Sequence, residues 1–253
     1  LYILCIIMNL FDIVIPVGPN DADVIERQLT FTKQNIIGYR NIYLICYDPT
    51  ITFEGCITID EQIFPFSKDT IHILNPTIKT SRIGWYLQQL LKLYSGTVIP
   101  DILDRYLVID SDTFFLKPTT FVENNKCLYS VGSEYEAPYF THMASLHELF
   151  VKKFPDKSGI CHHMIFETAY VTELISMVET KHNKVFHEVF IESVTVNTYP
   201  YSGASEYELY FNYIVENHAD KIKIRELRTS NVSNAGLKDL DYDHVSYHYY
   251  MRS

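Results

Sequence analysis

Two carboxylates, Asp110 and Asp112, stand one residue apart in the segment Arg105-Tyr-Leu-Val-Ile-Asp-Ser-Asp-Thr-Phe-Phe-Leu-Lys-Pro118. The apolar run before them, Tyr106 to Ile109, is too short for a helix and reads as a buried strand. Ligands of open α/β sheets bind at the carboxyl ends of strands. A carboxylate there needs a partner for its charge, and the segment offers no basic residue until Lys117. Such a pair suits a hard divalent cation, which binds through one or two carboxylates and takes further oxygens from substrate phosphates. The plain alternative is a strand-ending turn with solvated side chains, since Asp and Ser both favour turns.

Three other groupings could carry chemistry. Ser205 and Glu208 have the spacing of a capping box at a helix start, which leaves Glu206 in the first turn without a structural task. Its ordinary role would be to complement the helix dipole. In Cys161-His-His-Met164, His162 and His163 would point to opposite faces of a strand. They therefore do not share one metal, and one packs while the other lines a cleft. The loop from Glu134 to Met143 adds Glu134 and Tyr135, acidic and aromatic groups suited to sugar hydroxyls and ring faces.

These residues need a scaffold. A strand at Phe11–Val17, a helix over residues 21–37 stopped by Gly38, and a strand over 41–47 form a βαβ unit, hence a parallel sheet. Residues 51–78 read as short strands and loops broken by Pro65 and Pro76. Helical spacing runs from Ser81 to Tyr94. A strand over 127–132 precedes a helix around His142 to Phe150. Further helices are expected over 167–180 and 185–194 and after Ser205, with strand-like stretches at 221–227 and 245–250. No dinucleotide fingerprint or P-loop is present.

The 253 residues, 47% hydrophobic, can bury one sizeable core. A net charge of −10 argues against nucleic acid or an anionic membrane as partner. Five scattered cysteines indicate neither a disulfide framework nor a zinc site, and free thiols fit a reducing compartment. No segment is long enough to span a bilayer. The opening residues lack the marks of a secretory signal, so the expected location is the cytoplasm of a bacterium or an infected host cell. Residues 1–8 read as a possible upstream extension.

On Tyr-Leu-Val-Ile-Asp-Ser-Asp, Gly-Trp-Tyr-Leu-Gln-Gln-Leu-Leu-Lys-Leu and Ser-Gly-Ala-Ser-Glu-Tyr-Glu-Leu-Tyr, the chain resembles GT-A glycosyltransferases. The likeness is to the small polysaccharide-building enzymes of bacteria and large DNA viruses. It implies a single Rossmann-like α/β domain with a mostly parallel sheet flanked by helices. Residues 9–118 would form a nucleotide-binding half and 119–253 an acceptor-binding half. The implied reaction moves a sugar from a nucleotide-diphosphate donor, a UDP-sugar first among them, to a hydroxyl of a glycan or other acceptor, with inversion and with Mn²⁺ or Mg²⁺. Asp110 and Asp112 would hold the metal, joined by His244 or, in preference, His248. Pro16, Val17, Asp23 and Ser111 would line the donor pocket, with Arg82, Trp85, Gln88, Gln89 and Lys92 on the facing helix. Glu134, Tyr135, His162, His163 and Ser205 would meet the acceptor or sugar, and Glu206 would act as general base. Competing readings are a haloacid dehalogenase-like phosphatase with Asp110 as nucleophile, or a binding module that has lost catalysis. The phosphatase motif has a different residue pattern after its second Asp and usually stands near the start of its domain.

Overall fold

The structure, a computed structural model, describes residues 10–195, 203–233, 236–237 and 241–252. A five-stranded sheet carries the molecule. Its strands are β1 (Phe11–Val17), β2 (Tyr39–Cys46), β3 (Ile57–Asp60), β4 (Arg105–Ile109) and, completing the sheet from further along the chain, the strand His163–Glu167. The order is His163–Glu167, β4, β1, β2, β3, and all neighbours are parallel except at the His163–Glu167 edge. All seven residues of β1 are buried, as expected of a central parallel strand. Asp12, fully buried in β1, is neutralised by the Arg40 guanidinium at 2.6 Å and accepts from the backbone N–H of Asn41 and Leu103.

Seven helices pack among the described residues. They are α1 (Ile25–Asn35), α2 (Lys68–Leu74), α3 (Thr80–Val98), α4 (Ala137–Leu146), α5 (Thr168–His182), α6 (Phe186–Glu192) and α7 (Glu206–Asn217). The first helix is shorter than its apolar spacing predicts. It ends at Asn35, because Ile36–Ile37 pairs as a short strand with Thr119–Thr120, and Gly38 then turns the chain with φ 93°. Helix α2 was not expected in residues 51–78. Ser67 starts it, its hydroxyl and that of Thr70 closing a capping box between the two prolines. Gly96 lets α3 lie close to α5, since a Cβ there would strike Thr168 and Tyr106.

Three short strands build a second layer beside the acidic turn: β5 (Thr113–Phe115), then Thr229–Asn231 and His244–Ser246. His244–Ser246 runs antiparallel to β5, with Ser246 opposite Thr113. That register delivers the end of the chain to the turn that holds Asp112. The strand is shorter than the predicted 245–250: it stops at Ser246, and Tyr249–Met251 forms a single 3₁₀ turn. The main apolar core reaches from Phe11 to Ile222 and draws on residues from both sides of position 118.

Candidate active site

The acidic turn sits where the sequence puts it. Strand β4 ends at Ile109, the chain turns tightly with Thr113 N–H donating to the Asp110 carbonyl at 2.9 Å, and β5 begins. The backbone N–H of Asp110 donates to the His162 carbonyl, tying the turn to the neighbouring strand. A cleft of about 870 Å³ opens over the carboxyl ends of the parallel strands. Its size falls within the range of small-molecule sites.

Asp110 is the best-held group in this cleft. Lys92 Nζ donates to its Oδ1 at 2.6 Å, and the Tyr207 hydroxyl donates to the same oxygen at 2.9 Å. His162 Nδ1 meets Oδ2 at 3.3 Å. Burial opposes the charge, but the Lys92 ammonium and His162 overcome it and hold the carboxyl below its usual range. Burial works against the His162 charge too, yet Asp110 and Glu134 push its imidazole up to about 10. His162 is thus a cation, held in the left-handed region at φ 59°.

Lys92, itself buried, bridges to a second carboxylate, with its Nζ 2.7 Å from Glu206 Oε1. Burial pushes the Glu206 carboxyl up, and its backbone N–H donates to Gln89 Oε1 at 3.1 Å. The expectation that Glu206 is unengaged is therefore corrected. Its side chain is 4% exposed and committed to Lys92. The capping box is only half made. Ser205 accepts from the Glu208 N–H, while the Glu208 carboxylate turns inward to Ser158 and Asn212.

Asp112 has a different partner. The backbone N–H of Tyr247 donates to its carbonyl at 2.8 Å, and His248 Nδ1 lies 3.0 Å from its Oδ2. His248 comes from the far end of the chain, placed by the β5 pairing. His244 goes the other way, buried against His163 with ring centroids 4.6 Å apart. Asp112 and His248 form a pair of oxygen and nitrogen donors that fits one side of a divalent cation's shell, phosphate oxygens being able to complete it. Asp110 Oδ1 is taken by Lys92 and Tyr207, while its Oδ2, with a single 3.3 Å contact to His162, keeps a lone pair that a cation could share. Among the described residues no three His, Cys, Asp or Glu side chains cluster as a ready metal site.

Most of the residues singled out from the sequence line this cleft. Pro16 and Val17 end β1, while Arg82, Trp85, Gln88, Gln89 and Lys92 come from α3. Ser111, Glu134, His162 and Ser205 line it as well. Three of the expected site residues do not. Asp23 is exposed outside it and pairs with Arg252 at 3.0 Å. Tyr135 points outward, 61% exposed. His163 is buried behind the sheet, where its Nε2 meets Ser130 Oγ at 3.1 Å. The sequence reading passed over Asp21, whose carboxylate accepts from the Ser111 hydroxyl at 2.7 Å and pairs with Arg252 at 2.9 Å. It also missed Tyr207, which its place beside Glu206 could have suggested.

Among solved structures, the fold is similar to the apo form of mouse xyloside xylosyltransferase 1. The identity is 10% and the TM-score 0.46, over 94% of this chain and 98% of that one. No curated protein matches the sequence. A family model described as a family of unknown function, DUF6492, matches residues 45–249, which include α3, the Asp110–Asp112 turn and His248. The chain belongs to that family.

Proposed function

We propose that the protein is a glycosyltransferase that moves a sugar from a nucleotide-diphosphate donor, a UDP-sugar in the first instance, to a hydroxyl of a glycan or other acceptor. The observation that carries this reading is the meeting of Asp112 and His248 beside a charge-clamped Asp110, at the strand ends of a cleft large enough for such a donor. In this reading Asp112 and His248 would hold Mn²⁺ or Mg²⁺, which when bound would supply Lewis-acid stabilisation of the negative charge on a departing nucleoside diphosphate.

The chain's own groups do the rest. Lys92 fixes the Asp110 carboxylate, and protonated His162 adds a positive charge on the same side. Both charges offset part of the negative charge that the cleft's carboxylates would otherwise present to an anionic leaving group. Pro16 and Val17, at the end of β1, face the nucleoside. Glu206 is a positioning residue, holding Lys92 against Asp110. Inversion needs a base at the acceptor hydroxyl; Glu206, expected in that role, is committed to Lys92, and Glu134 and Glu136 also line the cleft. No observation favours a phosphatase with Asp110 as nucleophile over this reading.

The test is a panel of nucleotide sugars, screened by thermal shift with and without Mn²⁺ and then for release of nucleoside diphosphate. One nucleotide should raise Tm only when metal is present, and its sugar should be consumed. Asp112→Asn should lower that turnover about a thousandfold, the equivalent of several kcal/mol of transition-state stabilisation, while the fold survives. If no nucleotide gives a metal-dependent shift, or the variant turns over normally with metal bound, the reading is wrong.

A further inference from the structure

The cleft is acidic around the strand ends, where Asp21, Asp110, Asp112, Glu134 and Glu206 gather, and Arg82 departs from that character. Lys92 is already shared between Asp110 and Glu206. Arg82 also lines the cleft, yet it pairs with no carboxylate among the described residues, and its Nε is buried without a hydrogen-bond partner. Its guanidinium lies over the ring of Trp85, 4.5 Å from the centroid. Trp85 is itself fixed by Tyr86, edge-on at 4.9 Å, and by Tyr139, stacked at 6.4 Å. The aromatic support holds the planar fork in place, a geometry that matches carboxylate or phosphate.

Gln89 repeats the theme two turns along. It lines the cleft at 1% exposure, and its Nε2 has no partner among the described residues. Seven residues apart, Arg82 and Gln89 share one face of α3. Arg82 lies about 15 Å along the helix axis from Lys92, given the rise per residue. Lys92 marks the level of Asp110, and Arg82 stands toward the opposite, N-terminal end of α3. Tyr250 is within electrostatic reach of Arg82, Asp112 and Glu134. The first turn of α3 has no acidic residue and no side-chain cap, so the positive end of the helix adds to the Arg82 field.

We propose that Arg82, held on Trp85, recognises an oxyanion carried by the acceptor, a uronate carboxylate or a phosphate ester on a glycan, with Gln89 donating to a sugar oxygen between it and the reacting centre. The inference rests on the transferase reading and narrows its acceptor to an anionic one. Donor phosphates belong at the Asp112 end. An acidic cleft repels an anionic acceptor unless a dedicated cation receives it, which makes Arg82 a determinant of specificity.

Trp85 is the only tryptophan, so its fluorescence reports this position directly. The full chain is titrated with a methyl glucuronoside, a methyl glucoside phosphate and neutral methyl glucoside, each in saturating UDP and Mn²⁺, with calorimetry in parallel. An anionic glycoside should give a saturable signal, and the tighter of the two identifies the source of the oxyanion. Arg82→Gln should weaken that binding about tenfold or more, the scale of a lost charged hydrogen bond. Arg82→Lys should fall between, keeping the charge without the fork. The proposal is overturned if the neutral glycoside binds as well as both anions, if Arg82→Gln binds the anion as tightly as wild type, or if an anion that binds in a parallel titration without UDP gives no signal in its presence. Failure of the transferase reading shows separately, as nucleotide sugars that are never consumed whatever Trp85 reports.

Discussion

His162 and His163 are neighbours in the chain and opposites in chemistry. His162 precedes the edge strand, faces the cleft and sits between Asp110 and Glu134, so its imidazole is pushed up to about 10 and carries a charge. His163 opens the strand opposite Ile109 and faces the dry side. There it touches Ser130 and packs against Phe115, Phe121 and His244. Burial, with His244 and Arg225 nearby, drives its pKa well below the ordinary range. The same side chain becomes a fixed cation on one face of the sheet and a neutral packing group on the other. The surroundings decide it: carboxylates converge on the cleft face, and among the described residues none pairs with the imidazoles behind it.

The largest effect should come from breaking the charge network on the cleft face. Lys92→Met removes the cation shared by Asp110 and Glu206 and leaves two carboxylates facing each other in a buried site. Truncating one partner of a buried ion pair costs about 3–5 kcal/mol. Chemical denaturation should show that loss as a lower midpoint with an unchanged slope. A variant within 1 kcal/mol of wild type would mean that the network is solvated and that the contrast between the two faces is smaller than drawn.

Buried imidazoles outside the cleft's charge network should respond to acid. His142 and His244 are both buried, and burial pushes their pKa values down to about 4 and about 3. A histidine with a depressed folded pKa binds more protons unfolded than folded. Its contribution is therefore present above the unfolded value, roughly 6.5, and is lost as pH falls from there toward the folded value. By linkage, each such group should remove about 2 kcal/mol of stability between pH 7 and pH 5. His162, with a raised pKa, works in the other direction: its contribution is complete below the unfolded value and fades as pH rises toward about 10. Denaturation at a series of pH values should show stability falling on the acid side well before the carboxylates titrate, and a flat profile from pH 7 to pH 5 would refute the assignment of these imidazoles as neutral.

What could be read beforehand follows the same division. Strand β1 matches its apolar run residue for residue, β4 is only one residue longer, and the acidic turn follows, because short buried strands write themselves as continuous hydrophobic runs. Opposite faces for His162 and His163 could be foreseen from strand alternation, although His162 itself lies just outside the strand. Long-range placement was not legible. Only the pairing of His244–Ser246 with β5 sends His248 to Asp112 and His244 to the back, and no local pattern carries that register. The Glu206 clamp was hidden for the same reason: Lys92 lies more than a hundred residues upstream, and helical spacing alone does not say which lysine a helix start will meet.

The smallest expected change gives the sharpest test of the comparison, because it asks adjacent positions to fail in different ways. His163→Phe places an apolar ring among Phe115, Phe121 and His244. It removes a buried Nδ1 that has no partner but strands the Ser130 hydroxyl. The opposed terms, with some overpacking, should leave a net loss of about 1 kcal/mol at neutral pH. At pH 5 the deficit should shrink or reverse, since one fewer imidazole takes up a proton on unfolding. Turnover should follow the amount of folded protein. His162→Asn is the counterpart. Asn tolerates the left-handed backbone that His162 adopts, so the turn survives, and the stability lost should be that of the ion pairs with Asp110 and Glu134, present at neutral pH and fading as pH rises toward about 10. What goes is the cation between Asp110 and Glu134, and with it the positive charge on that side of the cleft. Turnover of the nucleotide sugar should then drop by one to two orders of magnitude, the scale on which outer partners of a reactive site act, without a change in acid sensitivity. Two variants that lost stability alike and kept equal turnover would show that the cleft and the back of the sheet are one environment, and the opposite charge states assigned to neighbouring histidines would have no basis.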